Sequence, residues 1–243
     1  MDQSRRDQEP SSTVDPALLD PIVDPRARVV YSGSVLPLTD LPLQPLPLLR
    51  EWYAEAVADP RVTEANAMAL ATVDEAGMPD VRMVLLKGLD PLGFTFFTNL
   101  GSAKAAQIAA NPVASLVLLW HPMYRQVRVR GVVRMLERAE AEAYFATRPR
   151  GSQVGAWASR QSEPVAARAD VERAFAEADA RWAGVDEVPM PPFWGGYRVL
   201  PVAVEFWVGQ ASRLHDRLAY RTVDGAPRRL DHAGGWTATR LQP

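Results

Sequence analysis

The stretch Ala114-Ser-Leu-Val-Leu-Leu-Trp-His-Pro-Met-Tyr-Arg-Gln-Val-Arg-Val-Arg-Gly-Val-Val-Arg-Met-Leu136 decides the fold class of this chain. Its first part, 114–119, is a short apolar run, and its second part, 125–136, is rich in valine. Between Arg125 and Val133 polar and apolar side chains alternate, which is the period of a β-strand. The stretch therefore predicts two strands interrupted near Pro122.

Similar short runs continue in both directions along the chain. They are rich in branched or aromatic residues, and most are bounded by Gly, Pro or Asp. The further predicted strands are 67–72, 81–88, 93–98, 199–209 and 213–222. Helices are predicted at 48–59, 102–110, 139–147 and 165–182. The pattern favours a mainly β barrel with flanking helices, although strand content alone suits an OB-fold or another small barrel equally well.

Two segments between these elements are predicted to lack regular structure. Residues 189–196 combine prolines, Phe193, Trp194 and two glycines, which is typical of an ordered loop. Asp224-Gly225 marks a turn, and Gly234-Gly235 is a flexible stretch. Residues 220–236 are therefore predicted to form an extended hairpin away from the chemistry.

The first 27 residues differ in composition from the rest. They are rich in Asp, Arg, Ser and Pro, and such a segment buries too little apolar surface to offset its ordering entropy. We therefore expect a disordered tail at 1–27. The remaining 28–243 are of a length that commonly forms one β-barrel domain, so a single domain is expected there.

Charge and cysteine content exclude several classes of function. The 27 basic residues are balanced by 29 acidic ones, which argues against nucleic-acid or anionic-membrane binding. The longest apolar runs are far shorter than the roughly 18 residues of a membrane helix, and the polar N-terminus lacks a signal-peptide core, so a cytoplasmic protein is expected. Absence of cysteine excludes disulfides and thiolate nucleophiles, and three scattered histidines argue against a metal site.

Arg82-Met-Val-Leu-Leu-Lys87 carries two cations within one predicted strand. Their odd separation places them on opposite faces, so they are expected to serve different ligands. An amphipathic strand with cationic ends explains the same pattern equally well.

Lys104 lies in the first turn of a predicted helix, for which Asn99 and Ser102 are plausible caps. The helix dipole disfavours a cation at this end unless an anion is also bound there. The alternative is a solvated lysine at modest cost.

Tyr144 and Arg148 are four residues apart on a predicted helix, and Ser152 follows in what we expect to be a loop. A guanidinium and two hydroxyls are the donors that a dianionic phosphate needs. Without a ligand, Tyr144 would be a core residue and Arg148 would face solvent.

Arg213-Leu-His-Asp-Arg217 falls in the last predicted strand. Strand alternation would point Arg213, His215 and Arg217 to one side, where like charges are destabilising unless an anionic or electron-rich ligand lies against them. An exposed strand with solvated arginines is the simpler alternative.

Read together, the chain's motifs resemble the pyridoxamine 5'-phosphate oxidase family, the FMN-dependent oxidases of vitamin B6 metabolism. The resemblance runs from about Arg28 to the C-terminus, in the family's order and nearly its spacing. The motifs that carry it are 82–87, Phe97-Thr-Asn-Leu-Gly-Ser102, Trp120-His121, Arg125-Gln126, Arg148-Pro-Arg150 with Ser152-Gln153, Gln161-Ser162, Phe193-Trp-Gly-Gly196, 213–217 and Arg240-Leu-Gln-Pro243.

The resemblance implies a six-stranded antiparallel Greek-key split β-barrel that dimerises with FMN at the subunit interface. It implies oxidation of pyridoxamine or pyridoxine 5'-phosphate to pyridoxal 5'-phosphate, with O2 as acceptor and H2O2 as product. The rivals are a split-barrel flavin oxidase of another reduced ring, such as a phenazine, and a non-catalytic carrier of FMN or pyridoxal phosphate.

The resemblance also implies a role for each site residue. The FMN site is implied to comprise Arg82, Met83, Val84, Leu85, Leu86, Lys87, Phe97, Thr98, Lys104, Gln126, Gln161, Ser162, Trp207 and Arg217. The substrate site is implied to comprise Arg28, Tyr31, Lys87, Tyr144, Arg148, Ser152, Arg213, Leu214 and His215. Of these, Arg213 and His215 are expected to be catalytic, and Arg28 and Tyr31 to close over the substrate. Ala103 departs from the family, in which many members carry a second basic residue there.

Overall fold

The computed structural model describes residues 29–33, 36 and 42–243. The predicted tail at 1–27 and Arg28 lie outside the described residues. None of the helices in this described part of the chain has the length and apolar content needed to cross a bilayer.

The described residues form five α-helices and nine β-strands. The helices are α1 (Leu46–Ala58), α2 (Ala103–Ala110), α3 (Arg138–Ala146), α4 (Arg150–Ala158) and α5 (Arg168–Arg181). The strands are β1 (Ala67–Val73), β2 (Pro79–Leu85), β3 (Gly88–Asp90), β4 (Gly93–Asn99), β5 (Val113–Trp120), β6 (Arg125–Met135), β7 (Trp194–Val208), β8 (Asp216–Thr222) and β9 (Trp236–Leu241).

The nine strands form one curled antiparallel sheet in the order β2-β1-β5-β6-β7-β4-β3, with β8 added to β7 and β9 to β8. The split-barrel class is thereby confirmed. The sheet has nine strands where the resemblance implied six, and β3 and β9 were not among the predicted strands. A register shift at Arg130/Gly131 leaves Val202 of β7 without a partner in β6, and this bulge bends β7. A Cβ on Gly131 would lie 2.3 Å from the Leu200 carbonyl oxygen, so the bend requires glycine.

The core lies on one face of this sheet, because alternate residues of each strand point into it. Leu70 of β1, Leu116 of β5 and Phe206 of β7 are fully buried there. Helix α1 covers them, and its Trp52 ring packs edge-on against Phe206 with centroids 5.1 Å apart. A smaller cluster under α3 and α4, which includes Phe145 and Trp194, joins these helices to the sheet.

Two segments that were predicted to be loops have regular structure. Ser152 lies in α4 and not in a loop. Residues 194–196 belong to β7, because Gly195 and Gly196 pair with Thr98 and Phe97 of β4. A side chain on Gly196 would collide with the Phe97 ring, so the glycine permits this close pairing.

The predicted strand at 213–222 begins only at Asp216. Ser212 and Arg213 have φ values of 55° and 65°, the left-handed conformation that a strand cannot contain. The strand argument that placed Arg213, His215 and Arg217 on one face is therefore wrong.

Strands β8 and β9 pair as a hairpin around the predicted segment, and the residues that join them return to the core. Leu230 is fully buried, and its backbone N–H donates to the Pro91 carbonyl at 2.7 Å. Its carbonyl accepts from the Leu46 N–H at the start of α1. This connection thus ties the C-terminal hairpin to the rest of the sheet.

Candidate active site

A cavity of about 470 Å³ lies over β2 and β4 and is closed by α2, α3 and α4. Twelve residues predicted for the site line it: Arg82, Met83, Val84, Leu85, Lys87, Phe97, Thr98, Lys104, Tyr144, Arg148, Ser152 and Gln161. Five further lining residues were not predicted: Asn99, Gly155, Ala156, Ser159 and Trp194.

The cavity has a pronounced positive charge. Four of its lining side chains, Arg82, Lys87, Lys104 and Arg148, are cationic, and no carboxylate is among the described residues that line it. Arg82 is paired with Asp80, but like charges held this close still repel one another unless a ligand neutralises them. The lining therefore suits an anionic ligand, or more than one.

Lys104 is the most buried of the four cations, with 9% of its surface exposed. Its Nζ donates to the Gln161 Oε1 at 2.6 Å and to the Thr98 Oγ1 at 3.2 Å, both uncharged acceptors. Burial and, next, the nearby Arg82 charge lower the pKa of Lys104. An anion bound beside Lys104 would act in the opposite direction, by stabilising the charged form.

Arg82 is held by a network at the edge of the cavity. Its Nη1 donates to the Thr72 Oγ1 at 2.5 Å and to the Leu70 carbonyl at 3.2 Å. Its Nη2 donates to the Asp80 Oδ2 at 2.5 Å and to the Gln107 Oε1 at 2.8 Å. These contacts hold the guanidinium between β1 and Gln107 of α2.

Arg148 enters the cavity from the opposite side. Its guanidinium carbon lies 4.8 Å from the centre of the Trp194 ring, within the range of a cation–π contact. Its Nη1 is buried and has no hydrogen-bond partner within the described structure. Burial lowers the pKa of Arg148. This unsatisfied donor is a group that an incoming anion would pair.

Three aromatic planes form the wall next to Arg148. The Phe97 and Tyr144 rings stack at 3.9 Å with an interplanar angle of 8°, and Phe97 and Trp194 are parallel at 5.4 Å. Such a stack is rigid and presents the hydroxyl end of Tyr144 beside the cavity. Trp194 was not predicted as a site residue, although it stands in the quoted Phe193-Trp-Gly-Gly196 motif.

Lys87 is placed differently from the prediction. Strand β2 ends at Leu85, so the alternation argument does not extend to Lys87, and Lys87 lines the same cavity as Arg82. Its backbone N–H donates to the Thr95 carbonyl of β4 at 2.8 Å. Leu86, also predicted for the site, turns into the core and is 4% exposed.

The loop after α4 completes the cavity beside Lys104. Gln161 accepts from Thr98 and Lys104, while the Ser162 Oγ accepts from the Ala103 N–H at 3.1 Å. Ser162 thus caps α2 from a distant loop, a role for which Asn99 and Ser102 were expected. Ser102 occupies the N-cap position without a side-chain bond of its own to the helix backbone.

The remaining predicted residues gather in a second group. The Tyr31 ring lies 5.8 Å from the His215 ring and 6.0 Å from the Trp207 ring, and the Arg213 guanidinium carbon lies 5.4 Å from the Tyr31 ring centre. The His215 Nδ1 accepts from the Gln210 N–H at 3.1 Å. We call Tyr31, Trp207, Arg213 and His215 the aromatic–arginine cluster.

Two features of this cluster indicate a constrained site. Arg213 holds a positive φ, which costs on the order of 1–3 kcal/mol for a residue other than glycine. Burial and, next, the Arg213 charge lower the pKa of His215. Because Nδ1 accepts a hydrogen bond, the neutral ring carries its proton on Nε2 and offers it as a donor. Leu214 is exposed beside them.

Gln126 and Arg217 flank Trp207 in the cross-strand register of β6, β7 and β8. Arg217 donates from Nε to the buried Glu205 at 2.9 Å, and Arg128 also pairs with this carboxylate. Burial raises the pKa of Glu205, but the hydrogen bonds from Arg217 and Arg128 outweigh it, so the net pKa lies below the ordinary value.

Within one chain the two groups stay apart. Neither Gln126, Arg217 nor any member of the aromatic–arginine cluster lines the cavity. The predicted site is therefore divided into a cationic cavity and a cluster on another part of the sheet.

Solved structures share this architecture. The crystal structure of PhzG from Burkholderia lata 383, in complex with tetrahydrophenazine-1-carboxylic acid, matches 87% of this chain and 100% of its own with a TM-score of 0.76 and 31% identity. A Nostoc punctiforme protein described as pyridoxamine 5'-phosphate oxidase-related and FMN binding shares the fold, with a TM-score of 0.61 and 20% identity over 80% of this chain and 96% of its own. The fold thus defines the chain as a split-barrel protein.

Sequence comparison defines the family. A model described as pyridoxamine 5'-phosphate oxidase matches residues 54–182, and one described as the pyridoxine 5'-phosphate oxidase C-terminal dimerisation region matches 194–243. The pyridoxine/pyridoxamine 5'-phosphate oxidase of Ralstonia pickettii is 49% identical over 89% of this chain and 97% of its own length. The pyridoxine/pyridoxamine 5'-phosphate oxidase of Salinispora arenicola is 53% identical over 79% of this chain and 83% of its own length. The chain belongs to the pyridoxine/pyridoxamine 5'-phosphate oxidase family.

Proposed function

We propose that this protein is an FMN-dependent oxidase that converts pyridoxamine 5'-phosphate or pyridoxine 5'-phosphate to pyridoxal 5'-phosphate, with O2 as acceptor and H2O2 as product. The observation that carries the proposal is a cavity with four cations and no carboxylate among its described lining residues. Such a cavity suits two phosphate groups, one from the cofactor and one from the substrate. The names of the relatives agree with this function.

The flavin phosphate is assigned to Arg82 and Lys104. The buried Lys104 ammonium has only uncharged partners among the described residues, so it fits an anion. Thr98, Gln161 and Ser162 surround it with hydroxyl and amide groups, which can donate to or accept from a bound phosphate or ribityl chain.

The substrate phosphate is assigned to Lys87, Tyr144, Arg148 and Ser152. The unpaired Arg148 Nη1 supplies the strongest support, because a phosphate oxygen would satisfy it. Ser152 lies in the first turn of α4, where the helix dipole also favours an anion.

We propose further that two copies of the chain complete each other's sites. Cross-strand register places Met83, Leu119, Gln126, Trp207 and Arg217 on one face of the sheet. Met83 and Leu119 are 64% and 57% exposed there, and Met83 also lines the cavity. An exposed apolar sheet face favours an interface. A partner on it would bring its aromatic–arginine cluster toward this cavity, with FMN between the subunits.

When bound, FMN would supply the redox chemistry, taking two electrons from the substrate C4' carbon and passing them to O2; with pyridoxamine 5'-phosphate the oxidised carbon would then take up water and release ammonia. The chain's own residues bind the substrate and orient it. The four phosphate-binding residues anchor one end of the substrate, and Arg213 covers the reacting carbon. The His215 Nε2–H donates to a ring substituent, which fixes the ring plane. No protein nucleophile takes part.

A phenazine-type oxidase is the second candidate, because the PhzG structure matches 87% of this chain. Lys87, Tyr144, Arg148 and Ser152 favour a phosphorylated substrate, since a dianionic phosphate offers three oxygens to these two cations and two hydroxyls, whereas a ring carboxylate offers two oxygens and one charge. A non-catalytic carrier would have no use for the strained Arg213.

The test is to purify the protein, record its visible spectrum, and compare pyridoxamine 5'-phosphate, pyridoxamine and a dihydrophenazine carboxylate as substrates. The proposal requires a flavin spectrum and pyridoxal 5'-phosphate formation with H2O2. Turnover of the phenazine alone would favour the second candidate, and a flavin spectrum without any turnover would favour a carrier.

A further inference from the structure

Arg82 is already paired with a carboxylate of its own strand. The Asp80 Oδ2 lies 2.5 Å from the Arg82 Nη2 and also accepts from the Gln107 Nε2 at 3.1 Å. With Thr72, Gln107 and the Leu70 carbonyl also bonded, both terminal nitrogens of Arg82 have two partners each. A phosphate that binds these nitrogens must replace one of them.

Asp80 is the partner that a phosphate replaces most readily. Its side chain is 51% exposed, whereas Thr72 is fully buried and the Leu70 carbonyl belongs to a sheet strand. An exposed carboxylate is restored to water at little cost when it is displaced. Like charges also oppose the simultaneous presence of Asp80 and a phosphate dianion on one guanidinium.

The same carboxylate acts on the second cation of this site. Burial and Arg82 lower the pKa of Lys104, and Asp80 raises it, so Asp80 lies within electrostatic reach of both cations. Together with Ala103, which leaves α2 without a further cation at its start, this reduces the positive potential offered to a phosphate.

We propose that Asp80 competes with the FMN phosphate for Arg82 and thereby weakens cofactor binding. The inference rests on the proposed FMN site. Asp80 is thus a residue that sets the cofactor affinity of this chain, in addition to the residues that contact FMN.

The experiment measures FMN release from the holoenzyme and rebinding to the stripped protein, by the fluorescence of free FMN, in the wild type and in Asp80→Asn. The amide keeps the side-chain shape and its bond to Gln107 while removing the charge. We expect FMN affinity to rise about 1.5- to fivefold, the range for losing one partly exposed ion pair. The gain should shrink at high salt, because screening weakens the charge that was removed.

Glu75→Gln is the matched control. Glu75 is an exposed acid in the β1–β2 turn, so this substitution removes the same charge at a position that does not contact Arg82. Its FMN affinity should equal that of the wild type. Asp80→Ser serves as a second variant, and the Tm of each variant checks folding.

Unchanged or weaker FMN binding in both Asp80 variants would overturn the proposal, because Asp80 would then orient Arg82 instead of competing for it. An equal gain in Glu75→Gln would also overturn it, since the effect would be one of net charge. A wild type that binds no FMN at all would instead refute the proposed function.

Discussion

Replacing Arg148 by methionine tests the substrate-phosphate assignment most selectively. Methionine keeps an apolar stem beside Trp194 but removes the charge and the unpaired Nη1. The lost bond to a phosphate is charge-assisted and is worth about 1.5–3 kcal/mol. That free energy corresponds to a decrease of about 10- to 150-fold in kcat/KM for pyridoxamine 5'-phosphate.

Folding should change little in this variant. Losing the cation–π contact costs about 0.5–1 kcal/mol, whereas removing a half-buried cation with an unsatisfied donor recovers part of its desolvation cost. FMN content is expected to stay at the wild-type level, because Arg148 lies between α3 and α4, whereas the residues assigned to the flavin phosphate, Arg82 and Lys104, lie on β2 and α2.

The assay is pyridoxal formation from pyridoxamine with and without its phosphate, measured over a range of substrate concentrations. The decrease should be confined to the phosphorylated substrate, so the mutant discriminates less between the two. Arg134→Met, at an exposed position of β6 outside the cavity, is the control and should match the wild type. An equal loss on both substrates, or no loss on either, would refute the phosphate assignment.

Three further predictions concern the other site residues. Lys104→Met should lose FMN because it removes the buried cation, whereas Lys87→Met should keep FMN and raise the KM for the substrate. Titration of each apoprotein with FMN and steady-state kinetics test this, and equal FMN affinities of the two variants would contradict it. Arg213→Gly should remain yellow and lower kcat/KM without lowering the Tm, since glycine relieves the positive φ; a colourless protein would mean that Arg213 is structural. The pKa of His215 is lowered from 6.5, so kcat/KM should rise with pH through a value below 6.5 as the ring loses its proton, and this step should vanish in His215→Leu; a step that persists belongs to another group.

The strand pattern was predictable because branched and aromatic residues alternate along most of the sheet. Helix α4 was not predicted, since Gly151 and Gly155 both lower its intrinsic helix propensity and its formation depends on packing by Val154 and Ala156. The start of β7 at Trp194 was missed for a similar reason. Two glycines suggest a loop until pairing with β4 is known.

The site was predictable to the extent that its residues resemble a family, and twelve of them do line one cavity. Local periodicity failed at Lys87 and at Arg213, where the chain leaves the strand conformation that the argument assumed. Asn99 and Ser159 line the cavity but were not predicted to do so. Their residue types are common in loops, and Asn99 was interpreted only as a helix cap. Arg28 lies outside the described residues, and its closing role stays a prediction.

The central claim is that bound FMN oxidises a phosphorylated pyridoxine-type substrate held in the cationic cavity. The most direct measurement mixes the holoenzyme with pyridoxamine 5'-phosphate without oxygen and follows the flavin absorbance. We predict complete bleaching with one pyridoxal 5'-phosphate formed per flavin, followed by return of the absorbance and release of H2O2 when O2 is admitted. A flavin that stays oxidised in the presence of saturating substrate would contradict the claim.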